Sequence, residues 1–189
     1  MPSLGLIVEG AGDELSYEVF FKRIKPELDI KTLRLNGCNR ENLKKIFKIL
    51  NKKLQQSNYS GVEKGLIICD CDGKCAPEIA NFIRTTLKIT CKDNNIKIHA
   101  TCEELETLFL TCIEDVNTIN GNPVKFKKIR KPENILNPKE HLLELLNDKK
   151  IIYGEKVAEE IASQINISVL EKRSKNFNRL YKIINNLVI

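Results

Sequence analysis

"LGLIVEGAGDELSYE" (residues 4–18) is the stretch on which the fold turns. Leu4–Val8 is an apolar run of strand length, and Glu9 ends it. Gly10, Ala11 and Gly12 then lead straight into two more acids, Asp13 and Glu14. A continuous apolar run of this length reads as a strand buried on both faces. Asp13 or Glu14 begins a helix whose apolar residues Leu15, Val19, Phe20 and Ile24 share a face, and Pro26 closes it. "GLIICDCDGK" (65–74) repeats the device: an apolar run ends in Asp70 and Asp72.

Further elements fall into place around these two strands. Ile30–Leu35 alternates apolar and basic residues, as a half-buried strand does. Leu43, Ile46, Phe47, Leu50 and Leu54 lie at helical spacing on one face. Pro77–Leu87 reads as a helix, Ile96–Ala100 as a strand and Glu103–Leu110 as a helix. Strands alternating with helices imply right-handed crossovers, hence an α/β fold: a parallel sheet of about four strands with helices on both faces. In such sheets ligands bind beyond the carboxyl ends of the strands. The acidic strand ends should therefore meet on one rim. From Gly121 to Pro138 the pattern breaks into a basic loop or linker with three prolines. Three helices are expected after it, at Pro138–Leu146, Glu155–Ile165 and Lys175–Leu187. The expected division is a domain at 1–122 and, at 123–189, a basic linker with a helical C-terminal extension packed on it.

The composition narrows the function classes. The chain has 189 residues, 42% hydrophobic and 30% charged, which suits a soluble globular protein. No apolar stretch approaches the roughly 20 residues that a membrane span needs, and no secretion signal opens the chain, so a cytoplasmic address is expected. The seven cysteines are an odd number, which favours reduced thiols over a disulfide framework. Cys69, Cys71 and Cys75 have C-x-C-x3-C spacing, not a usual zinc pattern, and read as small hydrophobes. Net charge is +6, and residues 123–189 carry all of it, with 14 Lys/Arg against 8 Asp/Glu. Such asymmetry suits a polyanionic partner.

The residues at the rim carry the chemistry. Mg2+ takes oxygen ligands, keeps several waters and needs few protein carboxylates. Asp70 and Asp72, two apart, face one side if the chain is extended there, so both can address one ion. Gly10 and Gly12 would let a phosphate approach the backbone. Asp13 either caps the following helix or lends charge to a second metal.

"LIVEG" followed some sixty residues later by "IICDCDGK" resembles the Toprim domain of topoisomerases, primases and related nucleases. "EELETLFL" (103–110) is similar to a segment of small Toprim-like proteins related to the nuclease part of overcoming-lysogenization-defect proteins, and "GEKVAEEIASQINISVLEKRSKNFNRLYKII" looks like their helical tail. The resemblance implies that Glu9, Asp70 and Asp72 bind Mg2+ or Mn2+ for phosphoryl-transfer chemistry, with Glu9 alternatively an acid or base. Asp13, Glu104 and Glu106 could supply a second metal position. Glu104 and Glu106 diverge on a helix, so one of the two is expected there, and a solvated helix face is the plainer reading of both. Lys156 is the candidate lysine for offsetting transition-state charge. An ordinary surface lysine is the plainer reading.

Lys125, Lys127, Lys128, Arg130 and Lys131, interleaved with Phe126 and Ile129, read either as a phosphate-contacting segment or as a solvated turn. His99 is expected in the core. The leading expectation is a metal-dependent nuclease acting on DNA or RNA. The alternative is a non-catalytic module that binds metal and nucleic acid and docks on a partner ATPase, since the resembling proteins often accompany ATPases in defence systems. Topoisomerase chemistry is not expected, because it needs a tyrosine on a separate domain and a strand-passage gate.

Overall fold

The computed structural model describes residues 3–55, 64–71, 73–88, 95–101 and 104–186. Asp72, Cys91, Cys102, Leu187 and the side chain of Leu54 lie outside the described residues. Four parallel strands, β1 (Ser3–Val8), β2 (Asp29–Arg34), β3 (Lys64–Asp70) and β4 (Ile96–Thr101), form one sheet in the order β2-β1-β3-β4. Leu4 pairs with Ile30 on one side and Lys64 on the other, and Gly65 pairs with Ile96. The two continuous apolar runs thus take the two central positions, where both faces are covered. Helices α1 (Ala11–Ile24), α2 (Arg40–Gln55) and α3 (Ala76–Leu87) alternate with the strands. After β4 come α4 (Leu105–Thr111), α5 (Pro138–Asn147), α6 (Glu155–Gln164), α7 (Ile167–Arg173) and α8 (Lys175–Asn185). No helix among the described residues is long and apolar enough to cross a membrane.

Strand alternation sorts the core into two flanks. Leu4, Leu6, Val8, Leu66 and Ile68 face one, with residues of α1, α4 and every later helix. Ile7, Ile67 and Cys69 face the other, with Leu43 and Leu50 of α2 and Ile79, Ile83 and Leu87 of α3. The C-terminal helices therefore share the core of the sheet. α6 packs along α1 through Val157, Ala158, Ile161 and Ala162, and Phe177 of α8 meets the Phe20 ring edge-on at 5.4 Å.

Several local expectations change. α1 begins at Ala11, and its buried residues are Ser16, Tyr17, Phe20 and Phe21, while Leu15, Val19 and Ile24 are half-buried. The helix is covered by the sheet, where Tyr17 bonds Thr101, and by α6, where Gly12 approaches Ala158 and Arg23 donates to the Ala162 carbonyl. α4 starts at Leu105, and all seven of its residues are buried, so a solvated face at Glu106 is ruled out. A fourth C-terminal helix, α7, stands where none is expected. It is seven residues long, too short to show a periodic pattern, and Asn166 caps it by accepting from the N–H groups of Ser168 and Val169. The basic linker opens with a hairpin, Thr118–Ile119 against Asn122–Pro123. Its turn residues Asn120 and Gly121 have φ of 52° and 75°, the left-handed pair that Asn-Gly favours. Phe126 in the same segment is buried.

Candidate active site

The ends of the two central strands meet. Glu9 leaves β1 and its Oε1 accepts the backbone N–H of Asp70, at the end of β3, at 3.0 Å. The N–H groups of Leu35 and Asn36 donate to the carbonyls of Val8 and Glu9 at 2.8 and 3.0 Å, which ties the end of β2 to the same place. Because Val8 faces the α1 flank, Glu9 faces the α2 flank. There its carboxylate and the sulfurs of Cys38 and Cys69 fall within 4.8 Å of one another. The two sulfurs are 2.9 Å apart. The hydrogen bond with Cys38, then burial, holds the Cys69 thiol strongly protonated. Cys69 and Cys71 are buried, as expected of small hydrophobes, while Cys75 departs from that expectation. Cys75 is exposed, which parts it from Cys69 and Cys71 as a ligand set.

On the other flank three acids converge from distant parts of the chain. Asp13 lies in the first turn of α1 and its Oδ2 accepts the Gly10 N–H at 2.8 Å. The same carboxylate therefore fixes the N-terminus of α1 and faces the rim. Burial raises its pKa, the Gly10 bond opposes that, and Glu104 raises it further. Glu106 is buried, and Tyr153 Oη donates to its Oε1 at 2.8 Å. Its carboxyl is also raised, first by burial. Glu104 accepts the backbone N–H of Lys139 on Oε2 at 3.1 Å, and burial, then the charge on Glu106, raises it. The Lys139 ammonium opposes the shift at all three acids.

Tyr17 ties this group to the end of β4. Its hydroxyl bonds Thr101 Oγ1 at 2.8 Å, and its pKa is raised by burial and then by Asp70, Asp13 and Glu106. The fields of three carboxylates thus meet on one phenol. Tyr153, half-buried and bonded to Glu106, is pushed up as well.

The expectation that Glu104 and Glu106 diverge supposes that both are helical. Glu104 is the N-cap of α4, extended at φ −139° and ψ 167°, so helical geometry does not apply to it. Both residues feel Lys139 and each other. Both Lys139, on the first turn of α5, and Lys156, on the first turn of α6, are exposed, and it is the charge of Lys139 that acts on the three acids. A Cβ at Gly12 would sit 3.9 Å from that of Ala158, ordinary contact, so packing there does not demand glycine. At Gly10 the nearest atom to such a Cβ is Asp13 Oδ2, at 3.4 Å. Lys125, Lys127, Lys128, Arg130 and Lys131 are all exposed. His99 is buried and bonds Asn176 Oδ1 through Nε2 at 2.9 Å, a core role as expected.

Asp13, Glu104 and Glu106 offer hard oxygen donors; Glu106 is buried and the other two are half-buried. A divalent cation that keeps some of its waters fits such a set. The acids are not a closed cage: no trio of their oxygens lies within 4.8 Å of one another. Lys139 and Tyr153, which sequence reading passes over, complete the surround. "NPKEH" gives Lys139 a helix start, but only the packing of α5 on α4 brings it to the acids. No family model, curated protein or solved structure matches the chain.

Proposed function

We propose that the chain is a divalent-metal-dependent nuclease of the Toprim type, cutting or nicking phosphodiesters of DNA or RNA. One observation carries the reading. Asp13, Glu104 and Glu106 are all raised by burial and share the charge of Lys139 at the carboxyl edge of a parallel sheet, beside Asp70. Acids that are buried or half-buried and raise one another cost stability unless a cation compensates, and that arrangement is characteristic of functional sites.

In this reading Glu9, Asp70 and Asp72 would hold one Mg2+ or Mn2+, and Asp13, Glu104 and Glu106 a second. Bound there, the ions supply Lewis acidity toward the phosphate and a water acidic enough to serve as nucleophile. The protein's own groups do the rest. Tyr153 fixes the orientation of Glu106 by donating to it, and the Gly10 N–H does the same for Asp13. Lys139 brings the positive charge that offsets the extra negative charge of a phosphoryl transition state.

The test is incubation with plasmid, single-stranded DNA and transfer RNA in Mg2+ or Mn2+, beside Asp70→Asn. The parent should cleave at least one substrate. The variant should lose cleavage on the order of 10²-fold or more. Asparagine keeps the shape and relieves repulsion, so the metal-free variant should melt at the parent's temperature or higher, with a smaller rise on adding Mn2+. A variant that nicks as well as the parent would remove Asp70 from the site. If neither protein cleaves and only the parent gains stability with Mn2+, the non-catalytic module docking on an ATPase takes its place.

A further inference from the structure

A cavity of about 400 Å³ lies on the α4 side of the acidic rim, lined by Ala76, Thr107, Thr111, Arg173, Lys175 and Arg179 among others. Two of its walls continue the acidic site. Ala76 opens α3, just past the chain turn that follows Asp70, and Thr107 adjoins Glu106 on α4. From Glu106 to Thr111 is about 7.5 Å of helix, so the α4 wall of the cavity, Thr107 to Thr111, leads away from Glu106.

The third wall is cationic. Lys175, Arg179 and Lys182 recur at i, i+4 and i+7 on the exposed side of α8, opposite the buried Phe177, Leu180 and Ile184. Lys175 and Arg179 also line a second depression with Lys172 and Lys182. None of these four cations is in a salt bridge, whereas Arg173 is held by Glu114 and by the Thr111 carbonyl. Of the two acids nearby, Glu171 accepts from Asn178 Nδ2 at 3.2 Å, and Glu133 is exposed on the rim.

The wall is also fixed in place. Asn176 Nδ2 donates to the Ala100 carbonyl at 2.9 Å, its Oδ1 bonds His99, and Ser174 Oγ accepts the Phe177 N–H at 3.1 Å. The first turn of α8 is thereby pinned to the end of β4, the same sheet edge that carries the acids. Thr107, whose buried hydroxyl lacks a hydrogen-bond partner, stands on the facing side.

We propose that this cavity and the ridge Lys172–Lys175–Arg179–Lys182 bind the phosphodiester backbone of a nucleic acid on its way to the acidic rim. Exposed, unpaired cations at regular spacing along one ridge match successive phosphates, and they carry no base-reading geometry, so binding should be insensitive to sequence. The inference rests on the nuclease reading for its partner, and it assigns that role to α7 and α8 rather than to the basic run 125–131.

Binding is read by fluorescence anisotropy of 20-nucleotide single-stranded and duplex DNA in EDTA, where no metal-dependent cleavage intervenes. The double variant Lys175→Gln/Arg179→Gln should weaken binding of every sequence about tenfold. It should flatten the slope of log affinity against log salt by about 1.4–1.8, the value for two lost phosphate contacts. Neutralising Lys127, Lys128 and Arg130 should leave the slope unchanged. Inorganic phosphate and a mononucleotide, added as competitors, separate a backbone site from a single-phosphate site. Full displacement at equimolar phosphate would overturn the backbone assignment, and so would an unchanged slope in the double variant or no binding by the parent at 50 mM salt. A parent that binds in this way but never cleaves would leave the ridge standing and remove the nuclease.

Discussion

Asp13, Glu104 and Glu106 reach the rim from α1, the lead-in to α4 and α4 itself; Glu106 is buried, and Asp13 and Glu104 are half-buried. Lys175, Arg179 and Lys182 come from one helix and lie in the open. The first group is costly, since burial raises each acid and like charges add to that. The second costs little, because solvent screens surface cations. A fold retains costly charge where something must act on it at close range, and places cheap charge where a long ligand must be attracted. Substitutions on the two sides should accordingly differ in size and in kind.

The largest effect should come from Lys139. Lys139→Met should lower cleavage on the order of 10²-fold, while Lys156→Met leaves it unchanged. The same variant should show a larger rise in melting temperature on adding Mn2+, because an ammonium no longer competes for the acids. A Lys139→Met protein that cleaves normally but binds Mn2+ more tightly would reduce that lysine to a counter-ion.

Tyr153→Phe comes next. It leaves Glu106 buried without its hydroxyl donor, and the expected loss of stability is about 1–3 kcal/mol, read by urea denaturation. Lys175→Gln should change stability by no more than about 0.5 kcal/mol. Equal effects of the two would erase the contrast between the buried and open charges.

The smallest effect is a pH dependence. An acid whose native pKa is raised binds more protons folded than unfolded, so stability falls as pH climbs from the ordinary carboxyl range, about 4, through the raised values. His99 opposes this. Burial lowers it to about 4, so the folded state loses stability as pH falls from 6.5 toward that value. The parent's own profile mixes the two, and the difference between Glu106→Gln and the parent isolates the acid. In EDTA the variant should gain on the parent steadily from pH 4 to pH 7. A flat difference would mean that Glu106 is not under strain.

How far the sequence carried this picture follows from the range of the interactions involved. The apolar runs Leu4–Val8 and Gly65–Cys69 are local signals, and the sheet follows from them. So does the meeting of Glu9 with Asp70, since both end central strands. Pairing Lys139 with Glu104 depends on how α5 docks on α4, and no local pattern encodes that. Nor does any reveal that Glu104 is extended rather than helical, a one-residue matter of where α4 begins. Tyr153 is invisible for the same reason as Lys139. The exposed face of α8 was legible in principle, because Lys175, Arg179 and Lys182 recur at helical spacing. The denser run of lysines at 125–131 drew the eye instead.

The shared core of α1 and α6 has a consequence for synthesis. When residue 122 leaves the ribosome the four strands of the sheet exist with α1 and α4, yet the side of α1 that α6 covers is bare and Phe20 lacks its contact with Phe177. Val157, Ala158, Ile161 and Ala162 follow only some forty residues later, a delay of roughly 2–8 s at about 5–20 residues per second. The nascent protein must leave part of the α1-side core open for that interval, and the contact that closes it joins segments well over a hundred residues apart, which slows folding. A chain stopped near residue 122 would be held in that open state for good, a client for chaperones or proteases rather than a smaller working unit.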